Sequence, residues 1–585
     1  MPKKILYLKI AVIIILGFIS YANSIDGKFI WDDNGLIKNN LYIRSWSNTP
    51  KIVTQDIGAG SLSSSNFYRP VQIISYLTDY SYWGLRVRGY HLTNILLHIL
   101  AAVAFYWFIG TIFHYGALAF IASLLFVTHP IHTEAVSYIS GRADSLALLF
   151  ILLTMVWYVK SLVSNKIKYY ILAILSYALA IFSKENSIIL PALILLYHYI
   201  FAKKLKLGYF LWILGVTLGY IFLRLATLSY TIPDIATPVS LIQRIPGFFV
   251  AVTEYIKLLL FPFNLHMEYG NRLFTFSDPQ AIFGMLSCAL LLVFSFHKHR
   301  SNKILSFSIL WFFITILPFS NIYIINESYM MEHWLYMPSL GFFLILASGA
   351  CYPLKNKTAA LLLRVLTAGL IIFYAYLTIK QNEYWREPVD FYKRTLQYAP
   401  RSWRFYNELG NEYINVDSDI EAITAYNKAL EINPNLAGVY NNLGNVYRKK
   451  GRPTEALLMY NKAQEINLSL ARQYYEKAKA YLDSGKKREA AIFYEKALAL
   501  DPYNLKSYNT LASVYIMSGK YSRAITLLKQ ALEIAPGFAL THNNLSAAYY
   551  YERKYDLAIK HCDIAVGLGY DVTPKLLELL TPYRK

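Results

Sequence analysis

The sequence predicts an all-α protein in two unlike parts: a polytopic bundle of membrane helices, then a solenoid of short helical repeats. Three observations carry that expectation. Hydrophobic residues make up 56% of the 585 and charged residues only 16%, against roughly 25% charged in an ordinary soluble domain. Apolar runs long enough to cross a bilayer recur up to about residue 380. Beyond it a 34-residue pattern takes over, with Pro400, Pro434, Pro502 and Pro536 in phase. The net charge of +21 would suggest nucleic acid if it formed one patch, but the Lys and Arg are spread through short loops between apolar runs, as in membrane proteins. Cys288, Cys351 and Cys562 are too few and too scattered for a disulfide framework or a metal site.

In order, the apolar segments are 5–23, 94–113, 116–129, 145–161, 168–182, 187–202, 207–224, 246–262, 279–296, 304–320, 333–352 and 359–379. Basic clusters at Pro2-Lys3-Lys4, Lys160 to Lys168, Lys203-Lys204-Leu205-Lys206, His297-Lys298-His299-Arg300 and Lys355-Asn356-Lys357 share the cytoplasmic side if segment 246–262 does not cross. Its Pro246, Pro262, Glu254 and Lys257 suit a re-entrant or interfacial helix. About eleven spans remain, with the N-terminus inside and the repeats outside. Lys3-Lys4, an apolar core and Ala22-Asn23-Ser24 also fit a signal peptide; the long apolar run and the odd span count favour an uncleaved anchor. The expected domains are a bundle over 1–380, a connector and half-repeat over 381–400, five repeats over 401–570 and a closing helix over 571–585.

Nearly all acids of the first part fall in the predicted outer loops, Asp234 and Glu327 among them. Membrane insertion does not require that asymmetry; a polar pocket on the outer face would. The first loop holds Phe29-Ile30-Trp31-Asp32-Asp33-Asn34, adjacent carboxylates whose cost beside a membrane argues for a role, and later Tyr68-Arg69-Pro70. The second runs His129-Pro130-Ile131-His132-Thr133-Glu134 and on to Arg142 and Asp144; the third is Ser183-Lys184-Glu185; the fourth ends Glu332-His333-Trp334-Leu335-Tyr336. Acids among fixed cations suit transfer of a sugar from a lipid phosphate to a hydroxyl. A carboxylate takes the acceptor's proton, and Lys184, Arg69 and Arg142 steady the leaving phosphate. Solvated-loop roles for Lys184 and Glu185, and helix capping by Asp144 beside Arg142, stay open. His129, His132 and Glu134 lack a firm ligand geometry, so no metal is assigned and a divalent ion is left open.

Phe29 to Asn34, Tyr68-Arg69-Pro70-Val71, His91 to His98, His129 to Asp144, Ser183-Lys184-Glu185, Phe261-Pro262-Phe263-Asn264-Leu265 and Leu335 to Ser339 resemble the transmembrane and tetratricopeptide-repeat containing O-mannosyltransferases. The likeness runs through most of the chain in order. It implies a GT-C superfamily fold and a polyprenyl-phosphate-sugar donor. It further implies that Asp32 or Asp33 contacts the acceptor hydroxyl and that Lys184 holds the donor phosphate. His333 departs from the pattern, which has arginine there.

The repeats carry Tyr406, Leu409, Gly410, Tyr413, Ala422, Tyr426 and Ala429, matched by Tyr440, Leu443, Gly444, Tyr447, Ala456, Tyr460 and Ala463. This is the tetratricopeptide pattern of paired helices, with Leu468 and Tyr570 where the phased proline is missing. Such arrays bind extended peptides on a concave face. Asn407, Asn441, Asn442, Asn509, Asn543 and Asn544 recur on the first helices, where amides can pair with a peptide backbone; ordinary surface polarity is the other reading. The expectation is an integral-membrane inverting transferase acting on protein Ser or Thr, its repeats recruiting the acceptor. The bacterial inner membrane is the expected location, and the endoplasmic reticulum the alternative. A glycan or lipid acceptor, or a non-enzymatic anchored scaffold, are the rivals.

Overall fold

The computed structural model describes residues 3–63, 65–228, 240–270, 272–320 and 328–584; the expectations for Asp234 and Glu327 lie outside the described residues. Those residues form helices and turns without a strand, in two compact units, Met1–Glu412 and Tyr413–Lys585.

Every apolar run of the first unit is a helix. α1 is Lys3–Tyr21; α2, Pro70–Trp83, is the amphipathic piece of the long first loop; α3 is Val87–Phe113, α4 Gly116–Thr128, α5 Arg142–Ser164 and α6 Ile167–Ser183. α7 is Leu190–Phe201, α8 Leu207–Thr227, α9 Leu241–Leu260, α10 Pro279–Lys298, α11 Lys303–Ile316, α12 Ser339–Ala350 and α13 Lys357–Asn382. Among the described residues six stretches are long and apolar enough to cross a membrane: Lys4–Asp26, Val87–Phe113, Ile139–Ser164, Leu207–Thr227, Pro279–Lys298 and Lys357–Trp385. α4 with Pro130–Val136 forms a further candidate bent by 56°, and Ile167–Ser183, Glu185–Phe201, Lys303–Phe319 and Ser339–Ala350 are shorter apolar helices. The eleven expected spans are thus six full-length helices, one broken pair and four short pieces. α9, the segment read as not crossing, is in none of these groups.

The physical reasons are local. His129 precedes a proline, which drives it to an extended ψ of 130° and breaks the helix. α12 has 12 residues, about 18 Å at 1.5 Å per residue, short of a ~30 Å hydrocarbon core. Close helix approach uses missing side chains: a Cβ on Gly284 would sit 2.4 Å from the Phe249 carbonyl, and one on Gly341 2.2 Å from that of Ser308. Loop contacts gather the basic clusters: Lys206 Nζ donates to Asn165 Oδ1 at 2.8 Å, and Tyr199 stacks on His299 at 5.0 Å.

The unit does not end with α13. α14 (Pro388–Tyr398) and the start of α15 (Trp403–Asn415) belong to it. Tyr384, Trp385, Phe391, Tyr392 and Phe405 are buried in a continuous aromatic cluster of mostly edge-to-face pairs, and burial of such rings dominates local packing energy.

The second unit continues with α16 (Asp419–Ile432), α17 (Ala437–Lys449), α18 (Pro453–Asp483), α19 (Lys487–Leu500), α20 (Leu505–Met517), α21 (Tyr521–Ile534), α22 (Ala539–Tyr551), α23 (Tyr555–Gly567) and α24 (Pro574–Leu580). Prolines end helices at the repeat boundaries. Where Leu468 takes the proline position the helix runs through, and α18 reaches 31 residues.

Candidate functional site

The acid motif lies in the turn after α1. Trp31 holds a left-handed φ of 50°, a strained conformation for a bulky residue, costing on the order of 1–3 kcal/mol. Its N–H donates to Tyr392 Oη at 3.3 Å and its ring stacks on Phe405 at 4.7 Å. The twist turns the two carboxylates apart. Asp33 is buried and accepts from Ser140 N–H at 2.8 Å, Ser140 Oγ–H at 2.5 Å and Ile30 N–H at 3.1 Å. Burial pushes its carboxyl up to about 7, against those hydrogen bonds and helped by the charge of Asp32. Asp32 keeps a solvent-exposed surface, and its N–H donates to Tyr138 Oη at 3.2 Å. The protein crowded around it still raises its carboxyl above the usual range; the Tyr138 hydroxyl, Arg69 and His333 pull it back.

Beside it stand two ion pairs built from one turn. Lys184 is extended (φ −156°, ψ 134°), so it and Glu185 reach opposite ways. Arg69 forks onto Glu185, Nε to Oε2 at 2.7 Å and Nη2 to Oε1 at 2.5 Å. Lys184 Nζ donates to both oxygens of Asp144 at 2.7 Å. Each cation is matched by one carboxylate in a place of low exposure, so the set is neutral. An incoming phosphate competes with Glu185 and Asp144 for charge-assisted hydrogen bonds.

Arg142, expected with Lys184 and Arg69, is placed elsewhere. It is fully buried, reaching Asp79 at 2.6 Å, Asn94 Oδ1 at 2.6 Å, the Tyr90 carbonyl at 3.0 Å and Ser75 Oγ at 3.2 Å. It braces α2, α3 and α5 from inside.

The fourth loop supplies a second acidic cluster. Glu134 accepts from His333 N–H at 2.8 Å and meets His333 Nδ1 at 2.6 Å. Glu332, fully buried, accepts from His266 N–H at 2.5 Å and Tyr269 Oη–H at 2.7 Å. Burial first, and Glu134 second, hold the Glu332 carboxyl well above the carboxylate range. His129, His132 and Tyr336 were expected on the outer face; they are buried in the bundle. His129 Nε2 faces the Leu259 carbonyl at 3.2 Å; His132 bridges the Phe126 carbonyl (2.8 Å) and Ser339 Oγ (3.0 Å); Tyr336 Oη meets His98 Nδ1 at 2.7 Å and accepts from Ser145 at 3.1 Å. Among the described residues no group of three or more His, Cys, Asp or Glu is arranged to hold a metal ion.

Sequence reasoning placed Ser140 in the second loop without a role and missed Tyr138, Tyr392 and Phe405, which with it orient the acid motif, and His266 and Tyr269, which hold Glu332. Their only signal is three-dimensional. Of the repeat asparagines, Asn509 is buried, its Nδ2 donating to the Leu505 carbonyl and to Thr541 Oγ1, each at 2.9 Å, while Asn544 Nδ2 donates to Asn509 Oδ1 at 3.0 Å. Asn543 reaches Asn544 at 3.4 Å. These three form a chain between neighbouring repeats. Asn407 donates to Glu408 at 3.0 Å, Asn441 is exposed and Asn442 half-buried.

A helical membrane bundle with a polar cluster at one end, followed by a helical solenoid, is the class that this arrangement defines. Tetratricopeptide models match residues 420–451 ("TPR repeat"), 437–469 and 481–549 ("Tetratricopeptide repeat"). The chain is similar to protein O-mannosyl-transferases. It is 27% identical over 418 residues to F38B6.6 of Caenorhabditis elegans, covering 68% of this chain and 59% of that one. It is 25% identical over 499 residues to tmtc2 of Xenopus laevis, covering 68% and 59%. With human TMTC1 it shares 26% over 479 residues, covering 69% and 52%. The chain therefore matches between about half and three fifths of the length of these relatives, and with its six candidate membrane helices among the described residues it is an integral membrane protein.

Proposed function

We propose that the protein is an inverting membrane glycosyltransferase that moves a hexose, mannose first among them, from a polyprenyl-phosphate donor to Ser or Thr hydroxyls of proteins outside the membrane. Residues 1–380 carry the chemistry, the repeats of 401–570 recruit the acceptor, and the bacterial inner membrane is the location, with the endoplasmic reticulum as the alternative. The observation that carries the reading is Asp32, a water-accessible carboxylate with a raised pKa beside the Arg69–Glu185 fork. Asp32 takes the hydroxyl proton as the acceptor oxygen bonds to the anomeric carbon. The bond from that carbon to the phosphate oxygen breaks, and the departing charge is taken up by Arg69 and Lys184 as they are shared with Glu185 and Asp144. Arg142 has no part in this step, its donors being engaged within the fold. No divalent ion is assigned to the step, and one is left open.

Glycopeptide analysis of envelope proteins tests the reading in cells lacking the gene and complemented with wild type or Asp32→Asn. Ser/Thr-linked hexose that disappears in the deletion and returns only with wild type supports it. Unchanged proteins with an altered surface glycan or lipid would move the acceptor to another class.

A further inference from the structure

A second charged recess lies where three candidate spans end, and its lining shares no residue with the acid motif. Its volume is about 890 Å³, and its lining includes Asp26, Gly27, Trp83, Arg86, Arg88 and Arg386, within the range of small-ligand clefts. The spans Lys4–Asp26 and Lys357–Trp385 stop at it and Val87–Phe113 starts from it, which sets its three guanidinium groups at the membrane boundary. All three arginines are exposed. Among the described residues the side chains of Arg86 and Arg386 show no hydrogen bond or ion pair. Arg88 meets Asp26 at 2.9 Å with both side chains more than half exposed, a contact of little worth in water. The recess therefore carries an excess of two positive charges at the end that the basic-loop reading assigns to the outside, where arginine is not needed for topology. Tyr82 and Trp83 are exposed beside it, as in an aromatic belt. Below it Leu96 and Leu100 are half-exposed and follow Leu92 on α3 at four-residue spacing, a straight apolar stripe running into the membrane.

We propose that this recess holds the phosphate of a membrane lipid, with Arg86, Arg88 and Arg386 around the anionic head and the Leu92–Leu96–Leu100 stripe along its chain. Its lining includes none of Asp32, Arg69, Glu185, Lys184 or Asp144, so the proposal stands whether or not the sugar-transfer reading holds. Surface arginines each favour an anionic lipid by on the order of fivefold, so removing three weakens binding on the order of a hundredfold. The test uses the full-length protein in a neutral detergent, with its unfolding temperature followed while phosphatidylglycerol, polyprenyl phosphate or inorganic phosphate is titrated in.

Wild type is expected to be stabilised by a lipid phosphate, and whichever lipid acts at lower concentration names the source. Arg86→Gln/Arg88→Gln/Arg386→Gln shifts the midpoint of that titration upward on the order of a hundredfold while unfolding as wild type does without lipid. If the triple variant is already destabilised, Arg386→Gln alone gives the roughly fivefold reading. Equal responses of wild type and variant, or an equal response to inorganic phosphate, would overturn the proposal.

Discussion

Asp32 and Asp33 are neighbours in sequence and opposites in environment, which separates their variants. Asp32→Asn keeps the shape of an exposed side chain and removes only its basicity; transfer is expected to fall roughly 10²- to 10⁴-fold, the usual worth of a general base, with the unfolding temperature unchanged. Asp33→Asn places an amide N–H₂ where Asp33 Oδ2 now accepts from the Ile30 N–H, so stability drops by about 1–3 kcal/mol, the cost of a buried unsatisfied donor. Parallel thermal unfolding and transfer assays check both. The pH dependence follows from the same pair. Asp33 titrates near 7 in the fold against an ordinary 3.8, so between those values the folded chain holds a proton that the unfolded chain has lost. Its contribution to stability is whole below about pH 4 and lost as pH rises through 7. The Asp32 carboxyl is raised as well, so transfer should fail on the acid side at a pH above 3.8. A unfolding series and a kcat/KM profile over pH 4–9 read the two effects separately. The acid pair itself was legible from its place between an apolar run and a polar loop. Which carboxylate faces water was not, because the deciding partner, Ser140, is 107 residues away.

At the level of elements, continuous apolar runs located the twelve apolar helices among the described residues, since an apolar run has few alternatives to a helix once the backbone must satisfy itself. It could not count crossings: a proline break at His129 and a helix of only 12 residues at α12 look like full spans when only the apolar run is read. The repeats show the same limit. Their phase was visible in the prolines, and the structure adds a second phase, the residues in the turn between the two helices of each pair: Asp417, Gly451, Gly485, Gly519 and Arg553, all with φ between 56° and 77°. Glycine fills three of these left-handed positions without penalty. Arg553 fills another at a cost of about 1–2 kcal/mol. Arg553→Gly is therefore expected to stabilise the array by up to about 1 kcal/mol, part of the relief being returned as entropy of the freer unfolded chain. Asp417→Gly gains less, because Asp417 also meets Lys449 at 2.9 Å. Thermal unfolding of the two variants gives the order directly.

For the whole molecule, the boundary read from composition near residue 380 marks the end of the membrane segments, while the compact first unit reaches Glu412. The difference is aromatic: Trp31 of the acid motif is pinned by Tyr392 and Phe405, residues with repeat-like spacing that serve the bundle. The proposed function puts two jobs on two units, and kinetics can pull them apart. If the array recruits the acceptor, changes at its exposed amides alter how often a protein arrives and leave untouched what happens once its hydroxyl reaches Asp32. Asn509 is a poor probe, since its amide holds neighbouring repeats together; Asn441 is exposed, and Asn442 is next to it. With each net hydrogen bond worth ~1 kcal/mol, Asn441→Ala/Asn442→Ala in the full chain should raise KM for a protein acceptor roughly thirtyfold at constant kcat. A short Ser-containing peptide, too small to engage the array, should be glycosylated at the wild-type rate. A fall in kcat for both substrates would mean instead that the array supports the bundle's structure, and recruitment would have to be sought elsewhere.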